Sequence, residues 1–234
     1  ILVIFEHGMG GGHLSYFKEI ELLARHGYLV LGYDHSGCME SGGENTSGFA
    51  QSLCDLNDCI NSLKNNDEYK NYKISVIGHS WGAFSTMNIP YFHNDVKHVI
   101  AMSGFISLEQ MLKQMFGGLF KKCIDLAFEL EKKSNPDFVN INAIESLANY
   151  DGHALIIHSK DDKTVKCKYH FDVLKNELSG LREYIQAKSA KKEYLAIIEE
   201  TATEINLFSA FCIKSTLFIT SFLPDKYSKY FSFV

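Results

Sequence analysis

The sequence has no surplus of charge of either sign. Across 234 residues, 23 Lys and Arg stand against 28 Asp and Glu, a net charge of −5 at pH 7 and a pI near 6.1. That balance leaves no electrostatic footprint for nucleic acid or an anionic membrane, and it suits a small neutral or apolar substrate better than a polyanion. No C-x-x-C pair and no Cys/His cluster with zinc spacing occurs among Cys38, Cys54, Cys59, Cys123, Cys167 and Cys212, so neither a metal nor another cofactor is implied. A core of this size needs no disulfides, and reduced thiols in a cytoplasmic setting are expected. No repeat or low-complexity linker divides the chain, whose length fits one large domain. The long apolar run Leu207–Leu223 carries Lys214 near its middle and is short for a membrane span. It reads as a buried or ill-fitting C-terminal segment rather than an anchor. No initiator methionine precedes "ILVIF". The chain is therefore expected to lack its true N-terminus, and a missing signal peptide says nothing of localisation. The last absence bears on chemistry: histidines stand at 7, 13, 26, 35, 79, 93, 98, 153, 158 and 170, and none follows.

What is present is a rhythm of strands and helices. Ile1–Phe5 is a short, wholly apolar run ending in glycines, the pattern of a buried parallel strand. Leu14–His26 has helical spacing closed by Gly27, Tyr28–Tyr33 is the next strand, and a glycine-rich loop follows. Phe49, Leu53, Leu56, Ile60 and Leu63 mark one face of a helix. Lys73–Ile77 is a third strand, Trp81–Ile89 a helix stopped by Pro90, and Val96–Met102 a fourth strand. This alternation predicts a three-layer α/β/α sandwich on a mostly parallel sheet. Ser103–Tyr150 interrupts it with two or three amphipathic helices, and it resumes with the strand Ala154–His158 and a helix over Lys168–Leu178 closed by Gly180. Residues 1–180 are thus expected to form the core with a helical insertion at about 103–150. The remainder, 181–234, is an atypical segment with no recognisable final strand.

Three stretches carry chemistry. In "VIGHSWGAF", Gly78-x-Ser80-x-Gly82 lies between a strand and a helix, the nucleophile-elbow pattern. The serine needs a strained backbone there, and side chains two residues to either side would collide with the neighbouring strand and helix. The following helix aims its positive end at the site. An oxyanion hole needs two donors aimed at one point. The Trp81 amide is one; the glycine-rich loop His7-Gly8-Met9-Gly10 supplies the other, assigned to Met9. A rival reading of that loop as a dinucleotide turn with Asp34 as ribose acid fails, because its third glycine would fall at His13. In "HSKDDKTV", Asp161 and Asp162 both qualify by position as a carboxylate orienting a histidine. A solvated loop pair is the plainer alternative.

Taken together, "EHGMGGGHLSYFKEIELLARHGYLVLGYDHSGCMESGG", "VIGHSWGAF" and "LIIHSKDDKTV" resemble the α/β-hydrolase superfamily, in its serine-hydrolase branch of monoacylglycerol lipase-like and S33 aminopeptidase-like proteins. The likeness runs from Ile1 to about Gly180, with Cys38-Met39 where that branch often has His-Gly. It implies strands before Ile1, a lid over Ser103–Tyr150, and acyl transfer to water. Its pattern Gly-x-x-Asp-x-x-Val, with Ser159 in the glycine place, assigns the acid role to Asp162. The resemblance also implies a triad histidine on a loop after the last strand, and the sequence offers none. His170 is the single histidine after Asp162, on a helix expected to carry it away from Ser80. His79 should pack under the elbow, His7 should brace the oxyanion loop and His158 should end its strand. His13, His26, His35, His93, His98 and His153 read as surface or loop residues. Lys188, Lys191 and Lys192 are alternative bases that no spacing places at the site. An impaired hydrolase, or a hydrolase-like ligand-binding protein, is the expectation.

Overall fold

The computed structural model describes residues 1–117, 121–179 and 183–187. Six strands form one sheet in the order β2-β1-β3-β4-β5-β6, every neighbouring pair parallel. They are β1 (Leu2–Glu6), β2 (Leu29–Gly32), β3 (Ile74–His79), β4 (His98–Met102), β5 (His153–Ser159) and β6 (Glu183–Ala187). Strands buried on both faces need no polar side, which is why β1, β3, β4 and β5 are near-continuous apolar runs. Alternate residues serve opposite faces. Val3, Phe5, Ile77, Ile100, Leu155 and Ile157 pack with Ile20, Leu23 and Ala24 of α1 (Phe17–Arg25). Leu2, Ile4, Val76, Ala101 and Ile156 point the other way, toward α2 (Gln51–Asn65), α3 (Trp81–Asn88) and the insertion.

The helices start and stop where backbone groups find partners. Helix α1 begins in a short 3-10 turn, His13–Tyr16, so the predicted helix Leu14–His26 divides into two kinds of turn. It ends in a paired cap: the Gly27 amide donates to Ala24 O (3.0 Å) and the Tyr28 amide to Leu23 O (3.2 Å). Gly27 makes this possible with φ +88°. In α2, Leu53, Leu56 and Ile60 are fully buried, each contributing about 2 kcal/mol of transfer free energy.

The insertion holds α4 (Leu108–Phe116), α5 (Lys121–Ser134) and α6 (Ala143–Ala148). Ser107 caps α4 by accepting the Gln110 amide, and Asn142 caps α6 by accepting the Ile144 amide. After β5, a 3-10 turn leads into α7 (Phe171–Glu177).

One expectation needs correction. A strand does exist beyond Gly180: β6 continues the parallel ladder, with Leu155 opposite Glu183 through Ser159 opposite Ala187. Five-residue parallel pairing against an already buried strand outweighs the weak apolar signal of "EYIQA". In the insertion, Met111 and Leu112 are buried in the packing with Ile106, Leu108 and Val139, while Met115 is exposed; Leu119 and Phe120 lie outside the described residues. The segment Leu207–Leu223 and Lys188, Lys191 and Lys192 lie outside them too. Among the described residues no helix is long and apolar enough to cross a membrane.

Candidate active site

The sheet delivers three loops to one edge, because all six strands run the same way. Strands β1 and β3 are neighbours with Glu6 opposite Gly78, so the turn after β1 and the bend after β3 emerge side by side. Strand β5 is two places farther along, and the Asp161-Asp162 loop leaves from its end.

Ser80 occupies the bend itself, half-buried, with φ +56° and ψ −110°. That conformation is strained for a residue with a Cβ. The surroundings hold it: the Ser80 amide donates to Met102 O (2.8 Å), and Ser80 O accepts the Ala83 and Phe84 amides at 3.1 and 3.2 Å. Both flanking glycines are obligatory. A Cβ on Gly78 would lie 2.3 Å from Gly82 O and from Thr86 Oγ1, and one on Gly82 would lie 2.4 Å from Glu6 O. Trp81 opens α3, its ring buried and its indole N–H donating to Phe49 O (2.6 Å).

Met9 sits on a tight turn closed by the Gly11 amide donating to Gly8 O (3.1 Å), with Gly10 at φ +77°. Its side chain is exposed. Among the described residues, neither the Met9 nor the Trp81 amide donates to a protein acceptor. The turn is held from beneath by His7: Nδ1–H donates to Gly8 O (2.9 Å) and Nε2 accepts the His35 amide (2.9 Å). Burial, then the neighbouring His35, brings the His7 pKa down to about 4, so the ring is a neutral strut. From the side, Asp34 accepts both the His13 amide (2.7 Å) and its Nδ1–H (2.9 Å). Burial works to raise Asp34's pKa, but these bonds outweigh it and hold the carboxyl below the ordinary range.

Asp162 is half-buried and Asp161 exposed. Asp162 Oδ1 accepts the Thr164 and Val165 amides, both at 2.9 Å, while Asp161 accepts the Ser159 hydroxyl. The histidine ring nearest Asp162 is His158, 3.7 Å from Oδ2, but its Nε2–H donates to Val165 O (2.8 Å). An open cavity of about 860 Å³ beside Asp162 is rimmed by Lys160, Lys163, Lys166 and Lys168, and Ser80 does not line it.

The structure brings Ser80, Trp81 and the Met9 turn to adjoining loops, and Asp162 to the same sheet edge. It brings no described histidine into a triad. His170 is fully buried, its Nδ1 accepting the Ile106 amide (3.4 Å), and burial then His158 lower its pKa to about 4. His35, His93 and His98 are buried rather than superficial, and His13 is tied to Asp34. His35 lies between Glu6 Oε2 and Asp55 Oδ2, 3.5 Å from each. This cluster escaped sequence reasoning: His35 sits in a polar glycine-rich loop, and nothing local signals its burial. No group of three His, Cys, Asp or Glu residues able to hold a metal occurs among the described residues.

The sequence matches the family model described as alpha/beta hydrolase fold over residues 1–124. No curated protein matches it. Among solved structures, an esterase from Pyrococcus furiosus superposes with TM-score 0.61 at 23% identity, covering 80% of this chain and 72% of that one. A lipase-esterase related protein from Clostridium acetobutylicum gives 0.59 at 20%, covering 87% and 94%. A monoacylglycerol lipase from Paleococcus ferrophilus gives 0.56 at 18%, covering 79% and 83%. At these identities the likeness is one of fold.

Proposed function

We propose, from the premise that the chain belongs to the alpha/beta-hydrolase family, that it is a serine hydrolase acting on an ester-type acyl substrate, with its turnover impaired. The observation that carries this reading is the strained Ser80 between two glycines that tolerate no Cβ. A serine at φ +56° and ψ −110°, on a strand-to-helix bend between two such glycines, matches the elbow that presents a nucleophilic hydroxyl.

In the proposed reaction Ser80 Oγ bonds to the substrate carbonyl carbon, and the carbonyl oxygen takes the developing charge between the Met9 and Trp81 amides. Collapse expels the alcohol and leaves an acyl-serine, which water then hydrolyses. Both steps need a proton acceptor. The resemblance puts a triad histidine after the acid, and no histidine follows His170 among these 234 residues. In the proposed reaction the Ser80 proton passes to water, which slows the reaction by several powers of ten while leaving the contribution of oxyanion donors and binding. Asp162 holds the acid position with no imidazole to orient.

That same missing imidazole favours a second reading, a hydrolase-like protein that binds an acyl ligand without turning it over. Labelling with a fluorophosphonate, read by intact mass, separates the two. Labelling lost in Ser80→Ala, with slow ester turnover, supports the hydrolase. Saturable ester binding with no adduct at Ser80 supports the binding protein and overturns the enzyme.

A further inference from the structure

We infer that Tyr16 is a positioning residue for the oxyanion hole, its phenol bridging the loop that carries the Met9 amide to the bend that carries the Trp81 amide. The inference rests on the serine-hydrolase reading. Strands β1 and β3 stay in register up to Glu6 and Gly78, and beyond that point no ladder bond holds their loops at a fixed separation. An oxyanion hole whose two donors come from two such loops works only if their separation is set to within a few tenths of an ångström.

Tyr16 supplies the tie. Its oxygen accepts the Gly8 amide (3.1 Å) and lies 2.7 Å from His79 Nδ1. Gly8 immediately precedes Met9, and His79 is two residues before Trp81. A phenol has one proton. With its oxygen engaged by Gly8 N–H, that proton goes to His79 Nδ1, which fixes the imidazole as the neutral tautomer protonated on Nε2. Burial lowers the His79 pKa, opposed by the charge of Asp162, and burial raises that of Tyr16, so both partners keep the required forms near neutral pH. The fit is close on all sides. A Cβ on Gly8 would lie 3.0 Å from Tyr16 Oη, 3.3 Å from His79 Nδ1 and 3.4 Å from His79 O. The Tyr16 ring is itself held against Phe5 of β1, centroids 5.1 Å apart. His79 therefore serves the site through Tyr16.

The test uses the whole chain. Tyr16→Phe keeps the ring and removes only the oxygen, and His79→Leu removes the acceptor. His79→Asn restores an acceptor close to the place of Nδ1. In Tyr16→Phe the Gly8 amide should exchange with deuterium about tenfold faster. The maximal fluorophosphonate labelling rate of Tyr16→Phe and of His79→Leu should fall about tenfold, a part of what outright loss of an oxyanion donor costs. The half-saturating probe concentration should stay within about twofold, since ground-state binding is untouched. His79→Asn should recover most of the rate. Labelling of Tyr16→Phe at the wild-type rate overturns the inference and leaves the Ser80 reading standing. So does a loss that appears in half-saturation, or one that matches a fall in the folded fraction. Wild-type labelling that persists in Ser80→Ala overturns the nucleophile assignment, and the bridge with it.

Discussion

The carboxylate of Glu131 lies where Gly48 would carry a side chain: a Cβ built on Gly48 falls 2.4 Å from Glu131 Oε2. The vacancy lets Glu131, on α5 of the insertion, accept the Phe49 amide (2.6 Å) and the Ala50 amide (3.2 Å). Ala50 is the N-cap of α2 and has no side-chain oxygen of its own, so a residue about eighty positions away caps the helix. Asn135 adds a bond from Nδ2 to Ser47 O (3.1 Å). Because Phe49 O accepts the Trp81 indole N–H, the insertion is joined to the nucleophile bend through one backbone segment. Glu131→Ala is expected to cost about 2 kcal/mol, for two orphaned amides at a helix start. Gly48→Ala should cost at least as much, since its φ of +111° adds strain to the clash. Chemical denaturation of the two single variants and the double variant checks this, and the double should fall well short of additive.

The bend makes its own demand. Gly78→Ala and Gly82→Ala each push a methyl into backbone oxygen, Gly82 O in one case and Glu6 O in the other. Backbone on β1 and α3 cannot give way as a flexible side chain would. Each substitution should destabilise by about 3 kcal/mol or more. Ser80→Ala removes only a half-buried hydroxyl and keeps the Cβ, and with it the backbone strain, so it should melt within a few degrees of wild type. Calorimetry on the three variants decides it.

These relationships show where sequence reading reaches and where it stops. The strands β1, β3, β4 and β5 were legible because burial on both faces of a parallel sheet demands unbroken apolar runs, and the bend because its glycines sit at fixed spacing around Ser80. The Glu131 cap and the Tyr16–His79 bridge were not. They join residues 82 and 63 positions apart, and nothing in the local sequence marks either partner. Strand β6 escaped because a strand laid against a finished sheet edge needs backbone pairing more than an apolar pattern. The buried histidines escaped because imidazole is equally at home on a surface or inside a hydrogen-bonded core. In "VKHVIAM", alternation along the strand was the one available hint that His98 faces inward, where its ring meets the Ser75 hydroxyl (2.9 Å).

Those histidines set the response to acid. Burial is the leading cause that brings the pKa of His7, His98 and His170 each from 6.5 down to about 4. A depressed histidine pKa means the unfolded chain binds the proton first. Stability is therefore fully present above about pH 6.5 and is lost as pH falls toward 4. Midway, each ring contributes a slope approaching ~1.4 kcal/mol per pH unit. Glu6, pushed upward by its burial, acts in the opposite sense, as its folded form takes up a proton early. Burial also lowers the pKa of His79, His93 and His158, so six rings act against one carboxyl. The melting temperature should fall steadily between pH 7 and 5, and His98→Gln should flatten that fall by about one ring's share. A melting temperature unchanged over this range would contradict the assignment of neutral buried rings.

Asp162 offers the sharpest test of the proposed impairment. Its Oδ1 accepts the Thr164 and Val165 amides, and the amide oxygen of Asn can accept both, so Asp162→Asn should keep the loop and the fold. In a complete triad, neutralising the acid costs on the order of 10⁴ in rate, because the imidazole loses its tautomer and its counter-charge. In the proposed impaired enzyme no described histidine receives that help, since His158 is committed to Val165 O. Fluorophosphonate labelling of Asp162→Asn should then stay within about threefold of wild type, the carboxylate acting only through its distant charge. A hundredfold fall would mean that Asp162 is orienting a proton acceptor at Ser80 after all, and the impaired reading would give way to that of a working triad.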